Sequence, residues 1–217
     1  MFKAKANSEL ISVQHTENKI ELRLTKPEGF DFKAGQYGTF KILDAKGDTT
    51  RTFSFASSPK EKDVWVGTQH GETPSKYKAT LLGLKPGHPF EIKGPYGDFV
   101  WKEEEKEAVM VALGVGVTPI RALLMDRDDL SGVTLIYSGS SHKLYLDEFE
   151  GLKSKGLHMI ETSHRDELAQ ALDTTRPTQA KAYYVSGSMR AVGAVTKHLK
   201  TLGVKGKHIY SDIFTGY

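Results

Sequence analysis

Arg51-Thr52-Phe53-Ser54-Phe55 puts a cation, aromatic rings and hydroxyls within the length of one strand. Alternation places Arg51, Phe53 and Phe55 on one face and Thr52 and Ser54 on the other. The following Ala56-Ser57-Ser58-Pro59 ends the strand and frees backbone groups for a ligand. A guanidinium suits a phosphate, an aromatic face suits a flat ring, and a hydroxyl suits a ring nitrogen. An ordinary strand with a snorkelling Arg and a Ser-rich turn has the same pattern, and this stretch alone does not choose between them.

A second stretch with chemical content is Gly114-Val115-Gly116-Val117-Thr118-Pro119. It follows an apolar run and opens a helical pattern, where glycines let backbone N–H groups approach a pyrophosphate. Proline in its last position departs from the six-residue dinucleotide fingerprint but suits a helix's first turn. Ser186-Gly187-Ser188-Met189-Arg190 repeats the strand–glycine–helix arrangement further on. In an open parallel sheet both turns would face one crevice outside the carboxyl ends of the strands. Gly94-Pro95-Tyr96-Gly97-Asp98-Phe99 reads plainly as a turn anchoring its aromatics in a core, and functionally as a closure of the barrel against the second domain near a cofactor; the plain reading is preferred. Asp212-Ile213-Phe214-Thr215-Gly216-Tyr217 either simply packs or covers a planar group.

The elements that must position these residues change period halfway. Residues 10–16, 20–25, 37–43, 51–55, 64–68 and 89–93 alternate between Gly- and Pro-rich turns, which predicts a small antiparallel barrel or sandwich. Thr73-Pro74-Ser75 offers a cap to a short helix ending near Leu82-Gly83. The charge block Lys102-Glu103-Glu104-Glu105-Lys106-Glu107 reads as a linker, dividing the chain into domains 1–103 and 104–217. Beyond it, apolar runs at 108–112, 133–137, 158–162, 182–185 and 207–209 alternate with helical patterns at 119–126, 147–155, 165–172 and 188–202. That order predicts a parallel sheet with crossover helices.

Composition narrows the chemistry. With 38% hydrophobic and 26% charged residues the chain is an ordinary globular protein, and a net charge of +3 is too small to argue for nucleic acid. The absence of cysteine removes disulfides, thiolate metal sites and cysteine-held clusters, so redox work by this chain would need an organic cofactor. The eight histidines lack close metal-ligand spacing, and no metal is expected. Trp65 and Trp101 read as barrel packing and Met110 and Met125 as core filler. No apolar run is long enough for a membrane span, and a cytoplasmic location is the default expectation.

Taken in order, Arg-x-aromatic-Ser, Gly-Pro-Tyr-Gly, Gly-x-Gly-x-Thr-Pro and the terminal Phe-x-Gly-Tyr resemble the ferredoxin–NADP reductase superfamily, in its compact members without an iron–sulfur domain. The resemblance runs from about Ala34-Gly35-Gln36-Tyr37 to the C-terminus. It implies a six-stranded antiparallel flavin barrel followed by a five-stranded parallel α/β domain for the nicotinamide nucleotide. By that resemblance Arg51 meets the flavin pyrophosphate, Thr52 is a further cofactor contact, Phe53 lies against the isoalloxazine, and Ser54 stands near flavin N5. Thr73, Ser75 and Lys76 match a second flavin-phosphate turn. Gly114, Gly116, Thr118 and Pro119 match the nicotinamide-dinucleotide turn. Ser138 and Lys143 match the adenosine-ribose loop. Gly187, Phe214 and Tyr217 complete the expected cofactor contacts, and Asp212 falls near the C-terminal segment beside the flavin.

The resemblance assigns the catalytic positions to Ser54, Thr118 and Ser186. Phe53 replaces a more usual tyrosine, Leu113 an extra glycine, and Ser186 a cysteine near the reacting nicotinamide carbon. The implied cofactors are FAD with NADPH or NADH. Tyr137-Ser138-Gly139-Ser140-Ser141-His142-Lys143 lacks an acid to grip a ribose diol, which tilts the reading to NADPH, but it also lacks an arginine for a 2′-phosphate. The implied activity is hydride transfer from NAD(P)H to flavin, with electrons passed to a small carrier of the ferredoxin or flavodoxin type. Two other readings are a flavin reductase using free flavin as substrate, and a non-catalytic electron-routing subunit.

Overall fold

The computed structural model describes residues 4–102, 107–139, 142–175 and 181–215. The expected domain boundary at 103/104, Ser140, Ser141 and Tyr217 lie outside them.

The first half forms β1 (Ala4–Thr16), β2 (Lys19–Thr25), β3 (Tyr37–Ile42), β4 (Thr50–Ser54), β5 (Asp63–Gln69), α1 (Lys76–Leu82) and β6 (Pro89–Tyr96). Its six strands pair antiparallel in the order β4-β3-β6-β1-β2-β5. The two ends of that order meet just past β4, where the Ala56 N–H donates to the Trp65 carbonyl at 2.8 Å, so the sheet curls into a nearly closed barrel. Inward positions of the alternating strands fill it: Ile20, Leu22, Phe40, Phe55, Val66 and Phe90 are all 0% exposed.

β1 is longer than its alternation suggests because it serves two partners. Residues 4–9 pair with β6 and the rest with β2, and the register shifts between Leu10 and Ser12. A bulge of this kind bends a strand from one partner to the next. The opening residues Ala4-Lys5-Ala6-Asn7-Ser8-Glu9 carry little apolar signal, since their pairing is held by backbone bonds and by Ser8, whose Oγ donates to Thr25 O at 2.7 Å. Gly94-Pro95-Tyr96, read as a turn, instead extends β6, with Gly94 opposite Ala4.

The second half forms β7 (Glu107–Leu113), α2 (Val117–Met125), β8 (Val133–Ser138), α3 (Leu146–Leu152), β9 (His158–Thr162), α4 (Arg165–Thr174), β10 (Lys181–Ser188), α5 (Met189–Thr201) and β11 (Ile209–Phe214). All five strands are parallel, ordered β11-β10-β7-β8-β9. The order reverses between β7 and β10, so the turns after these two strands flank a ligand crevice. Residues 207–209, read as the last strand, lie mostly in a 3₁₀ turn (Gly206–His208), and the edge strand β11 follows it.

The halves share one apolar cluster. Ala34, Ala56 and Phe99 pack with Val117, Ile120, Leu123 and Tyr145, with Trp65 against them. Trp101 stacks on Tyr184 of β10 with ring centroids 5.7 Å apart, so it serves the parallel-sheet side and not the barrel. Among the described residues no helix is long and apolar enough to cross a membrane.

Candidate active site between the barrel and the parallel sheet

A cleft of about 710 Å³ opens where β4 faces the turn after β7. Thr50, Arg51, Thr52, Phe53 and Ser54 form one wall, Val115 and Thr118 the opposite one, and Asp212 to Thr215 the end. One strand therefore supplies a whole wall, because the backbone of β4 is an edge of the barrel's strand order and its exposed row faces the cleft.

The polar end of this cleft is cationic. Arg51 donates from both Nη atoms to the Asp48 carboxylate, at 2.6 and 2.5 Å, and its guanidinium lies 5.2 Å over the Tyr77 ring. That bond holds the Asp48 carboxyl below the ordinary carboxylate range. Lys78 also lines the cleft, and burial, with Arg51 nearby, pushes its ammonium below the usual lysine value. Arg51 and Lys78 thus set two cations at one end of the cleft, an arrangement that suits an anion. Ser75 adds a hydroxyl there. Of the residues expected at this turn, Ser75 reaches the cleft, whereas Thr73 and Lys76 are exposed and do not line it.

The middle of the cleft is aromatic. Phe53 lies partly buried against Tyr77, and Tyr37 stacks on Tyr96 at 5.6 Å and 30°. Gly97 allows that stack, since a Cβ there would sit 2.9 Å from the Tyr37 ring. The Gly-Pro-Tyr-Gly segment thus anchors aromatics, as its plainer reading expects, and through Tyr37 it also supports the cleft.

At the far end the Ser54 Oγ donates to Asp212 Oδ2 at 3.0 Å. Burial pushes the Asp212 carboxyl up to about 6, against the opposing effect of that hydrogen bond. A carboxyl with this affinity holds or releases a proton close to neutral pH, next to a hydroxyl that can relay it.

The opposite wall depends on glycine. A Cβ at Gly116 would lie 2.0 Å from the Ser186 carbonyl oxygen, and one at Gly67 would lie 2.5 Å from Thr118 Cγ2. Only glycine lets β10 and β5 approach the turn this closely. Thr118 is 1% exposed and donates from Oγ1 to Val115 O at 3.0 Å, which locks the turn on itself. Pro119 is buried in the first turn of α2. Gly187 is buried, and a Cβ on it would meet Leu113 Cβ at 2.7 Å. Ser186 is fully buried, its Oγ has no hydrogen-bond partner, and it lines neither cleft.

A second cleft of about 570 Å³ runs along the carboxyl ends of β7, β8, β9 and β10. Gly114, Ser138, Ser163, Arg165, Ser188 and Arg190 line it. Lys143, expected beside the ribose, does not; its Nζ pairs with Glu161 at 3.1 Å. The arginines absent from residues 137–143 arrive from other strands, Arg165 after β9 and Arg190 after β10. Sequence reasoning overlooked these two and Lys78, although collecting every charged residue just past a strand end would have found both arginines. Among the described residues no cluster of three or more His, Cys, Asp or Glu could hold a metal.

The donor set of the first cleft fits a planar ring joined to phosphates: cations at one end, aromatic faces in the middle, and a hydroxyl–carboxyl pair where a ring edge would lie. The second cleft, at a strand-order switch with two arginines, fits a nucleotide. Together, barrel and sheet make the two-domain fold of ferredoxin–NADP reductase-like FAD/NAD-binding domains. It superimposes on the FAD/NAD-binding domain of nitric oxide dioxygenase from Vibrio cholerae with a TM-score of 0.81 and 20% identity, covering 96% of this chain and 98% of that one. A ferredoxin–NADP+ reductase from Neisseria gonorrhoeae with bound FAD and NADP gives 0.81 and 18%, over 96% and 98%. In sequence, a flavohemoprotein of Vibrio cholerae is 27% identical over 205 residues, 85% of this chain and 52% of that protein. The chain spans about half the length of several curated relatives it matches. No protein-family model matches it.

Proposed function

We propose that the chain is an FAD-dependent NAD(P)H oxidoreductase module that hands electrons to a separate small carrier of the ferredoxin or flavodoxin type. One observation carries the reading: Ser54 with Asp212 and the turn Val115–Thr118 face each other across a single cleft. When bound, the two cofactors supply the redox chemistry, a hydride leaving a nicotinamide carbon with its electron pair and forming an N–H bond on the flavin.

The residues supply binding, orientation and proton handling. Arg51, Lys78 and Ser75 would hold the flavin phosphates, with Asp48 giving up Arg51 to them. Phe53 and Tyr37 would offer faces to the ring system. Ser54 would meet a ring nitrogen, passing its own hydroxyl proton to the ring and taking one in turn from a protonated Asp212. Thr118 keeps the nicotinamide-side turn in shape by its bond to Val115. In the second cleft Arg165 and Arg190 favour a 2′-phosphate, which supports NADPH over NADH.

A visible spectrum of the purified protein, before and after anaerobic NADPH, tests this. A flavin spectrum that survives gel filtration and bleaches on addition is expected. A colourless protein that consumes NADPH only with added free flavin would replace this reading with the flavin-reductase one.

A further inference from the structure

Behind the cleft lies a guanidinium that the proposed chemistry does not use. Arg121 on α2 is 0% exposed, in a helix whose other residues from Val117 to Leu124 are all buried. Its Nε and Nη2 donate to Glu148 of α3 at 2.8 and 2.6 Å. Toward the barrel, Nη1 donates to the Ala56 carbonyl at 2.8 Å, and Nη1 and Nη2 both donate to Glu61 at 2.9 Å. The guanidinium lies 4.1 Å over the Trp65 ring, and Arg23 lies 3.6 Å over the same ring. Burial alone would lower the affinity of Arg121 for its proton, and the two carboxylates reverse that and raise it.

Its place in the chain gives this network a purpose. Ala56 follows Ser54 by two residues, and Arg121 follows Thr118 by three. The same barrel loop is tied again to α2 where Ser58 Oγ donates to Asp126 Oδ1 at 2.8 Å. Buried ion pairs contribute little net stability because desolvation offsets attraction, and removing one partner strands the charge of the others. We infer that Arg121 is a positioning residue that fixes the separation of Ser54 from Thr118, and so the approach of the two cofactor sites, an inference that rests on the oxidoreductase reading above.

The test uses the absence of native cysteines. Lys41→Cys on β3 and Lys197→Cys on α5, both exposed, accept spin labels without background. Double electron–electron resonance should give a narrow distance distribution, broadened by Arg121→Lys. If that variant fails to fold, Arg121→Met with Glu61→Gln and Glu148→Gln removes the stranded charges and takes its place. In unlabelled protein the limiting rate of flavin reduction should fall about 10- to 100-fold, as expected for a misplacement near 1 Å, while the Kd for NADPH changes less than about threefold. An unchanged distance distribution overturns the inference, and so does a broadened one with an unchanged limiting rate. If wild type is not reduced by NADPH at all, the oxidoreductase reading fails, while the distance measurement still tests whether Arg121 fixes the two halves.

Discussion

The first cleft takes Arg51, Thr52, Phe53 and Ser54 from one strand, whereas the second gathers its polar residues from the ends of four strands. A strand-borne wall is held by its ladder, and the oxidoreductase reading gives Arg51, Phe53 and Ser54 separate tasks. A wall gathered from strand ends depends on how closely the strands approach, and its polar contacts share one task. Damage should therefore be specific in the first cleft, and in the second either global or shallow.

The largest effect should come from Gly116→Ala, which drives a Cβ toward the Ser186 carbonyl. A loss of about 3 kcal/mol or more in urea unfolding is expected. A loss below about 1 kcal/mol would mean that the strands yield and that the second wall is not rigid. Arg51→Ala comes next. It should weaken flavin binding by ~1.5–3 kcal/mol, roughly 10- to 150-fold, without changing nucleotide affinity. Undiminished flavin content after dialysis would remove Arg51 from the phosphate site.

Asp212 reaches the first cleft from the far end of the chain, and pH isolates it. Its folded-state affinity, about 6 against an ordinary 3.8, means that the fold binds this proton more tightly than the unfolded chain does. Its contribution is therefore fully present below pH 3.8 and is lost as pH rises through about 6, by about 3 kcal/mol at most. Thermal melts of flavin-free protein should show wild type losing stability relative to Asp212→Asn between pH 4 and 7. Parallel pH profiles for the two proteins would contradict this. The smallest effect belongs to the exposed arginines. Arg165→Ala or Arg190→Ala should each raise the KM for NADPH about fivefold, ~1 kcal/mol, and leave NADH unchanged. Equal changes for both nucleotides would move the 2′-phosphate elsewhere.

The same contrast decides what could be read in the amino-acid sequence. The Arg51–Ser54 strand was legible because its residues are consecutive and alternate. So was the Gly114–Pro119 turn, lying between an apolar run and a helix. Arg165 and Arg190 stand 25 positions apart, and only the parallel order of β9 and β10 brings them to one cleft. Lys78 was displaced in favour of Lys76, because the helical phase that turns one lysine inward is set by Tyr77 and Leu81 packing in the barrel. Arg121 did leave a signal. A lone cation in Val117-Thr118-Pro119-Ile120-Arg121-Ala122-Leu123-Leu124 must be buried with the rest of its helix, and a buried cation needs carboxylates. Which carboxylates, from which half, is a property of the tertiary fold alone.

The bond between Ser54 and Asp212 joins positions 158 residues apart. During synthesis at ~5–20 residues per second, a barrel that closed once β6 had emerged would wait on the order of 5–25 s for the strand that carries its partner. Over that interval β4 presents Arg51 and Phe53 to the medium with the end of the cleft missing. On the oxidoreductase reading, a ligand that met the nascent barrel would find the Arg51 end of the cleft before the Asp212 end, so loading and competence would be separate events in the life of each molecule.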